Sequence, residues 1–259
     1  MIQALLKNKL KDSFTDPHFT PSEDSLTSSI IGMLQYLPDT VFWQLLRSSC
    51  GKQSKIPKEI GEIKSIQFWE KMTPDGKQNS RYVEPDVWIE AEKFDVIIEA
   101  KKRDCRGQCV DQWKKEILSF SSEVNNINKT LIFIALGGNI LLQDCTLSIG
   151  RKQYNVYTSS WYNLLHEISN YAEDLTLKSQ PEGTKAITRL LNDIISVFSK
   201  HGYVDVKWLS DLQPIHLNNR SEEAIASLLE FDNKRILQDF YNSKKQITTN
   251  NIFKIWKLK

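Results

Sequence analysis

Two carboxylates and one amine lie where two neighbouring predicted strands end. The segments "RYVEPDVWIE" (81–90) and "KFDVIIEAKK" (93–102) both read as strands, joined by a short polar link. Asp86 belongs to the first, and Glu99 and Lys101 lie near the end of the second. Because side chains alternate along a strand, Glu99 and Lys101 share one face, ~6.6 Å apart at ~3.3 Å per residue.

These groups suit the hydrolysis of a phosphodiester. The carboxylates of Asp86 and Glu99, with the carbonyl of Ala100, are hard oxygen ligands of the kind that Mg²⁺ takes. Lys101 would orient or help deprotonate the attacking water and offset charge on the phosphate. Antiparallel pairing need not bring Asp86 to Glu99, although a bend after Pro85 would do so. Otherwise Asp86 caps a turn, and Glu99 with Lys101 is a solvated surface pair.

The elements that must position these groups follow from hydrophobic periodicity. A helix is predicted over 22–37, ended by Pro38, and an ambiguous stretch containing "VFWQLL" follows it. Three strands of a meander come next, then an alternation of helices and strands, which indicates an α/β fold with a central mixed sheet flanked by helices. The remaining predicted elements are a strand over 63–72, a turn over 73–80, a helix over 107–124, a buried strand over 130–138, a strand and helix over 154–168, and helices over 184–203 and 233–245. We expect a core over 1–170 and a mainly helical C-terminal region over 171–259.

The segment "EPDVWIEAEKFDVIIEAKK" resembles the signature of the PD-(D/E)XK nuclease superfamily. The matching residues are Pro85 and Asp86 in its first element and Glu99, Ala100 and Lys101 in its second. The resemblance covers roughly residues 20–170 and implies a restriction-endonuclease-like core. It also implies that Asp86, Glu99 and Ala100 bind Mg²⁺, with Mn²⁺ as a substitute, and that Lys101 is catalytic.

Two flanking helices extend the resemblance. Glu23, in the first predicted helix, matches the place of a further acidic metal ligand, although Asp24 is adjacent and either residue favours a helix N-terminus. Gln112 matches a catalytic glutamine in the helix after the Glu-x-Lys strand, and Gln108, one turn earlier, is the alternative. A tryptophan after the last core strand, in "NVYTSSWYNLL", is also similar to members of the group.

A second copy of the bare pattern occurs earlier in the chain. Pro38 and Asp39 are followed by Glu62, Ile63 and Lys64. Glu62 begins a predicted strand, whereas Glu99 ends an apolar one. The later copy is therefore the better candidate.

Basic and aromatic residues near the later copy offer contacts to a nucleic acid. The basic candidates for phosphate contacts are Lys102, Arg103, Arg106, Lys114 and Lys115. Trp88 and Trp113 are able to stack on bases, but their places in a strand and on an apolar helix stripe favour the core.

The composition of the chain limits the classes of protein and of site to be considered. The chain has 259 residues, 40% hydrophobic and 25% charged, with a net charge of +2 that neither requires nor excludes a nucleic-acid partner. Its N-terminus lacks a signal-peptide layout, and no apolar run reaches ~20 residues, so we expect a cytoplasmic protein with no membrane contact. Cys105 and Cys109 lack a nearby histidine, which argues against a zinc site.

The function expected from these residues is a Mg²⁺-dependent endonuclease that cleaves DNA. Analogy with the superfamily suggests a prokaryotic anti-phage defence or restriction effector that works with other subunits of a defence complex, with a homodimer as a possible form. One rival is a catalytically silent module of nuclease fold that binds nucleic acid or a partner protein. Another is a structural subunit that docks through its C-terminal helices.

Overall fold

The computed structural model describes residues 21–51, 53–72, 82–104, 106–123, 129–139, 141–177 and 184–205. The helices in these ranges are α1 (Glu23–Leu34), α2 (Asp39–Ser48), α3 (Val110–Glu123), α4 (Trp161–Leu177) and α5 (Thr184–Lys200). The strands are β1 (Ile63–Phe68), β2 (Val87–Ala91), β3 (Phe94–Ala100), β4 (Thr130–Leu136), β5 (Cys145–Ile149) and β6 (Lys152–Ser159). No described helix is both long and apolar enough to cross a membrane.

The strands form a six-stranded mixed sheet in the order β1-β2-β3-β4-β6-β5. The β1-β2-β3 meander is antiparallel. Strand β4 lies between β3 and β6 and is parallel to both, and β5 is antiparallel to β6. The α/β class with a mixed sheet is confirmed. The carboxyl ends of β3 and β4 meet at one edge, and because β2 runs the opposite way, its first residues lie at that edge too.

Helices cover both faces of the sheet. Side chains of α1, α2, α4 and α5 form the larger core with one face, and α3 packs on the other through Trp113, Ile117 and Phe120. The alternation along β3 divides its residues accordingly. Ile98 and Ala100 face the larger core, while Ile97 belongs to the α3 side.

Local signals explain several element boundaries. Ser22 caps α1 and forms a reciprocal capping pair with Ser25, as a polar residue before an apolar periodic run predicts. The hydroxyl of Ser160 accepts a hydrogen bond from the Asn163 amide at the start of α4. Gly202 has a φ of 85° just after α5, the left-handed conformation that favours glycine at a helix end.

Some boundaries differ from the predictions. Helix α1 ends at Leu34, the ambiguous "VFWQLL" stretch is helix α2, and strand β5 occupies a stretch for which no element was predicted. The predicted turn over 73–80 and the helix over 233–245 lie outside the described residues. Strand β5 was missed because it is a mostly exposed edge strand with little apolar signal.

The predicted division after residue 170 falls within α4. Helix α5 buries Leu191, Ile194 and Phe198 in the same core as α1 and α4. The described part of the predicted C-terminal region therefore belongs to the compact unit that ends at Val206. The amphipathic pattern predicted α5 but gave no information about which surface its apolar face covers.

Candidate active site

Strand pairing brings Asp86 to the end of β3. Val87 lies opposite Ile98 in the antiparallel β2–β3 register, so the preceding residue, Asp86, lies beside Glu99 and Ala100. Asp86 Oδ2 accepts a hydrogen bond of 2.8 Å from the Ala100 amide. The β2–β3 pairing therefore joins the two halves of the motif without a bulge.

Trp69 binds the second oxygen of the same carboxyl group. Its indole Nε1 donates to Asp86 Oδ1 at 3.0 Å, and its backbone amide donates to the Asp86 carbonyl at 3.2 Å. Trp69 has a φ of 49°, in the left-handed region that a non-glycine residue rarely adopts. The left-handed backbone of Trp69 and its two hydrogen bonds together fix the position of Asp86. Nothing in the sequence connected Asp86 with Trp69.

The Lys101 ammonium is surrounded by three oxygen atoms. It donates to Glu99 Oε1, to Glu23 Oε1 at 3.3 Å and to the Ala100 carbonyl at 3.1 Å. The second oxygen of Glu23 accepts from the Lys102 amide at 2.9 Å. Glu23, the first residue of α1, thus contacts the strand end that carries Lys101 and Lys102.

The two candidate glutamines have different partners. Gln112 Nε2 donates to Glu99 Oε1 at 2.7 Å. Gln108 Nε2 instead donates to the carbonyls of Glu99 and Gly137, at 3.0 and 3.1 Å. Its oxygen accepts a hydrogen bond from the Trp113 indole at 2.7 Å. Gln112 is the glutamine that contacts the carboxylate, and Gln108 binds the backbone that carries it.

A third buried carboxyl group, that of Glu116, was not anticipated. Glu116 is 1% exposed and lies one turn after Gln112 on α3, near enough to Glu99 for its charge to raise the pKa of Glu99. The available signal was its position between Trp113 and Ile117 in a helix whose inward face is otherwise largely apolar. A charged residue rarely occupies such a position without a partner.

The carboxyl groups shift one another's protonation. Burial, followed by the charge of Glu99, raises the pKa of Asp86 well above its usual range. Burial and the neighbouring Glu116 raise the pKa of Glu99 to about 8, although Lys101 opposes this. Burial also raises the pKa of Glu116 to about 7, with Asp86 adding to the shift. Clustered buried carboxyl groups with raised pKa values are typical of sites that bind a cation or transfer protons.

The pKa of Lys101 is also raised, which favours the charged form of an amine. Burial alone would lower its pKa, but the carboxylates of Glu99, Asp86 and Glu23 outweigh burial and raise it. The side chain is 17% exposed, so the ammonium faces the protein more than the solvent. Lys101 is therefore held as a cation in this arrangement.

Strand β4 and helix α4 fix the backbone of Lys101. The Trp161 indole donates to the Lys101 carbonyl at 2.8 Å, and the Lys101 amide donates to the Leu136 carbonyl at 2.8 Å. Gly137 follows with a φ of 70°, and a Cβ atom there would overlap the Lys101 carbonyl oxygen and lie 2.9 Å from the Trp161 ring. Only glycine allows these three backbone and side-chain groups to approach so closely.

The predicted phosphate contacts have different environments. Arg103, Arg106 and Lys115 are exposed. Lys102 contacts the Pro21 carbonyl, and Lys114 lies 3.5 Å from the Asp111 carboxylate. Arg103, Arg106 and Lys115 are therefore the better placed to meet an external anion.

The two tryptophans belong to the core, as their positions favoured. Trp113 is 6% exposed and packs against Phe133, and Trp88 makes an edge contact with Phe120.

The second copy of the motif does not form a buried cluster. Asp39 accepts a hydrogen bond from the Ile63 amide at 2.9 Å, while Glu62 and Lys64 are exposed.

The oxygen atoms around Lys101 match the chemistry of a hard cation. Among the residues that the structure describes, no three histidine, cysteine, aspartate or glutamate side chains are grouped so as to hold a metal ion. Two carboxylates and one carbonyl nevertheless contact the ammonium, and Asp86 lies next to them. A divalent cation that used the same oxygens would compete with the ammonium for them.

Of the two neighbouring cysteines, Cys109 is exposed, and Cys105 lies outside the described residues.

Comparison with known proteins adds one relative. No family model matches the chain. A protein of Pasteurella multocida (strain Pm70), named uncharacterized protein PM0110, is 26% identical over 215 residues. The match covers 74% of this chain and 75% of the relative. The similarity therefore extends over most of both chains, and the relative's name describes no activity.

Proposed function

We propose that the chain is a metal-dependent endonuclease of the PD-(D/E)XK type, with a restriction-endonuclease-like core, that hydrolyses DNA phosphodiester bonds. The observation that carries the proposal is the oxygen shell of Glu99, Ala100 and Glu23 around the Lys101 ammonium, with Asp86 beside it. The mixed sheet with helices on both faces is compatible with such a core. Cleavage that leaves a 5′-phosphate and a 3′-hydroxyl is the outcome that the resemblance implies.

The proposed cofactor is Mg²⁺, with Mn²⁺ as a substitute. Asp86, Glu99, Glu23 and the Ala100 carbonyl would hold it, since Mg²⁺ prefers oxygen ligands and is usually bound through one or two carboxylates. When bound, the ion would supply positive charge to the phosphate that is cleaved. The charges of the site support this assignment. Asp86, Glu99 and Glu116 are buried, but only Glu99 among them forms an ion pair with the Lys101 ammonium, and unpaired buried charge is costly.

Other residues of the site would orient the reactants. Lys101, held as a cation, would donate hydrogen bonds to the attacking water or to a phosphate oxygen. Gln112 would keep Glu99 in one orientation through its 2.7 Å hydrogen bond. Arg103, Arg106 and Lys115 would neutralise phosphates beside the cleaved bond. A cytoplasmic defence effector that acts with other subunits, or as a homodimer, is the context that we propose by analogy.

A cleavage assay with paired variants tests the proposal. Supercoiled, linear and single-stranded DNA would be incubated with the full chain and Mg²⁺ or Mn²⁺, with and without EDTA. Glu99→Gln and Lys101→Met remove charge from the proposed site. Glu62→Gln and Lys64→Met make the same changes in the exposed second copy of the motif and are matched controls.

We expect metal-dependent cleavage that Glu99→Gln and Lys101→Met reduce by at least ~100-fold, a loss typical of removing a group that acts in the transition state. The two control variants should cleave like the wild-type chain. DNA binding without cleavage under all conditions, unchanged in the site variants, would favour the silent binding module. Equal losses in the site variants and their controls would show that the second copy also acts.

A further inference from the structure

Side chains hold the backbone of Lys101 and Lys102 just beyond the end of β3. The Lys101 amide still donates to the Leu136 carbonyl of β4. The Lys101 carbonyl instead accepts from the Trp161 indole at 2.8 Å, and the Lys102 amide donates to the Glu23 carboxylate at 2.9 Å. These two hydrogen bonds therefore come from α4 and α1 and not from a strand.

Tyr203, three residues after the end of α5, binds the next carbonyl along this backbone. Its hydroxyl donates to the Lys102 carbonyl at 2.6 Å. Gly202, with a φ of 85°, turns the chain after α5, and the Tyr203 amide donates to the Phe198 carbonyl at 3.0 Å. This helix ending is a Schellman motif, and it brings Tyr203 back to the core instead of leaving it in a free extension.

Phe198 supports both of the aromatic donors. Its ring makes edge contacts with Trp161 and with Tyr203, with ring centroids 6.2 and 6.0 Å apart. Trp161 and Phe198 are fully buried, and Tyr203 is half-buried and packs on the same core. The two donors therefore reach consecutive carbonyls, those of Lys101 and Lys102, from one packed aromatic row. Close packing of this kind restricts small displacements of the groups that it holds.

Packing alone does not explain a tyrosine at position 203. A phenylalanine ring would make the same contact with Phe198, whereas only the hydroxyl reaches the Lys102 carbonyl. Lys102 is also the residue whose amide binds Glu23, and it directly follows Lys101. A rotation of the Lys102 backbone would therefore disturb both the Glu23 carboxylate and the Lys101 ammonium.

Resting on the proposed nuclease function, we propose that Tyr203 is a positioning residue, whose hydroxyl anchors the Lys102 peptide group and so keeps Lys101 and Glu23 in place at the strand end. Small displacements of groups that act on the reacting atoms are costly for the rate. Binding of DNA depends mainly on contacts to its phosphates. Loss of the anchor should therefore lower kcat and leave KM for DNA nearly unchanged.

The experiment compares the full-length wild type with Tyr203→Phe and with Tyr154→Phe as a matched control. The Tyr154 hydroxyl forms a hydrogen bond of 3.1 Å with Ser121, and its ring packs on the α3 side of the sheet, away from Tyr203. Each substitution removes one hydroxyl group and keeps the ring. Amide hydrogen exchange is measured by NMR without metal or DNA, unfolding by urea titration in EDTA, and kcat and KM by DNA cleavage at saturating Mn²⁺.

Both variants should lower the urea midpoint by a similar amount, about 0.5 M or less. In Tyr203→Phe the Lys102 amide should exchange at least ~10-fold faster than in the wild type, because local opening becomes easier. The kcat of this variant should fall ~10-fold, with KM for DNA within about twofold of the wild type. Tyr154→Phe should leave kcat and the exchange of the Lys102 amide unchanged.

Unchanged exchange of the Lys102 amide in Tyr203→Phe would overturn the anchoring. An unchanged kcat in Tyr203→Phe, with a wild type that cleaves DNA, would overturn the positioning role alone. Equal losses of kcat in both variants would also overturn it, because activity would then follow overall stability. A wild type that does not cleave DNA would overturn the proposed function and this role in catalysis together. Faster exchange of the Lys102 amide in Tyr203→Phe would still support the anchor in that case, since exchange is measured without metal or DNA.

Discussion

Replacing Trp161 with phenylalanine should destabilise the fold and also displace the proposed catalytic lysine. Trp161 is fully buried and makes an edge contact with Phe198. Its indole N–H donates to the Lys101 carbonyl at 2.8 Å, one residue beyond the end of β3. Phenylalanine keeps an aromatic ring there but removes the donor and leaves a small cavity.

The magnitude follows from these two losses. A buried carbonyl left without its donor costs ~1–3 kcal/mol. The smaller ring leaves roughly 30 Å³ of space, which at ~24 cal/mol per Å³ adds ~0.7 kcal/mol. We therefore expect the free energy of unfolding to fall by ~2–4 kcal/mol. At about 2–4 °C per kcal/mol, Tm should fall by roughly 4–16 °C.

Trp43→Phe is a matched control. Trp43 is 3% exposed, and its indole donates to the Pro57 carbonyl at 3.0 Å, so the same kinds of loss occur outside the site. Urea titration should show a similar destabilisation of both variants. DNA cleavage, measured where both variants are fully folded, should fall ~10- to 100-fold in Trp161→Phe alone, because small displacements of a catalytic group are costly.

Two results would refute this reasoning. A decrease of less than ~0.5 kcal/mol in the free energy of unfolding of Trp161→Phe would mean that the indole hydrogen bond contributes little to the stability of the fold. A fall in cleavage of the same size in Trp43→Phe would mean that activity depends on overall stability, and not on the position of Lys101.

Three further predictions concern the same strand end. Since burial and Glu116 raise the pKa of Glu99 to about 8, from 4.5, the folded chain retains more protons than the unfolded chain between these values. The free energy of unfolding in EDTA should therefore fall as pH rises from 4.5 to 8, and urea titrations that show it constant or rising would contradict the shift. Lys101→Met removes the ammonium that competes for the Glu99 oxygen, so it should tighten Mn²⁺ binding in calorimetry while abolishing cleavage, and weaker binding would refute the competition. Gln112→Ala should lower cleavage with little loss of urea resistance, whereas Gln108→Ala should mainly lower urea resistance, and the reverse pattern would exchange the roles assigned to them.

Local sequence signals located much of the strand-end cluster. The Asp86 and Glu99–Lys101 elements were found because each ends or begins a strand with clear apolar periodicity. Glu23 follows Ser22, a residue type that often caps helices, and in the structure Ser22 does cap the helix that begins at Glu23. Such signals depend on a few neighbouring residues, and for that reason a single sequence reveals them.

Partners distant in the chain could not be found in this way. Trp69 contacts Asp86 through a left-handed backbone conformation, and Trp161 reaches Lys101 from another helix. Neither contact leaves a periodic pattern in the sequence. Glu116 left a weak signal, a carboxyl group on an apolar helix face, but its meaning depends on the strand that this face covers.

The sequence by itself determined most of the segments that form helices and strands, though not α2 or β5, because periodicity, capping and turn preferences act over short distances. It left the β2–β3 register, the choice between Gln112 and Gln108, and the surface covered by α5 undecided. Only the tertiary structure decided these, since each depends on packing between segments far apart in the chain. The same packing buries Glu99 and Glu116 together and so gives this strand end its unusual electrostatics.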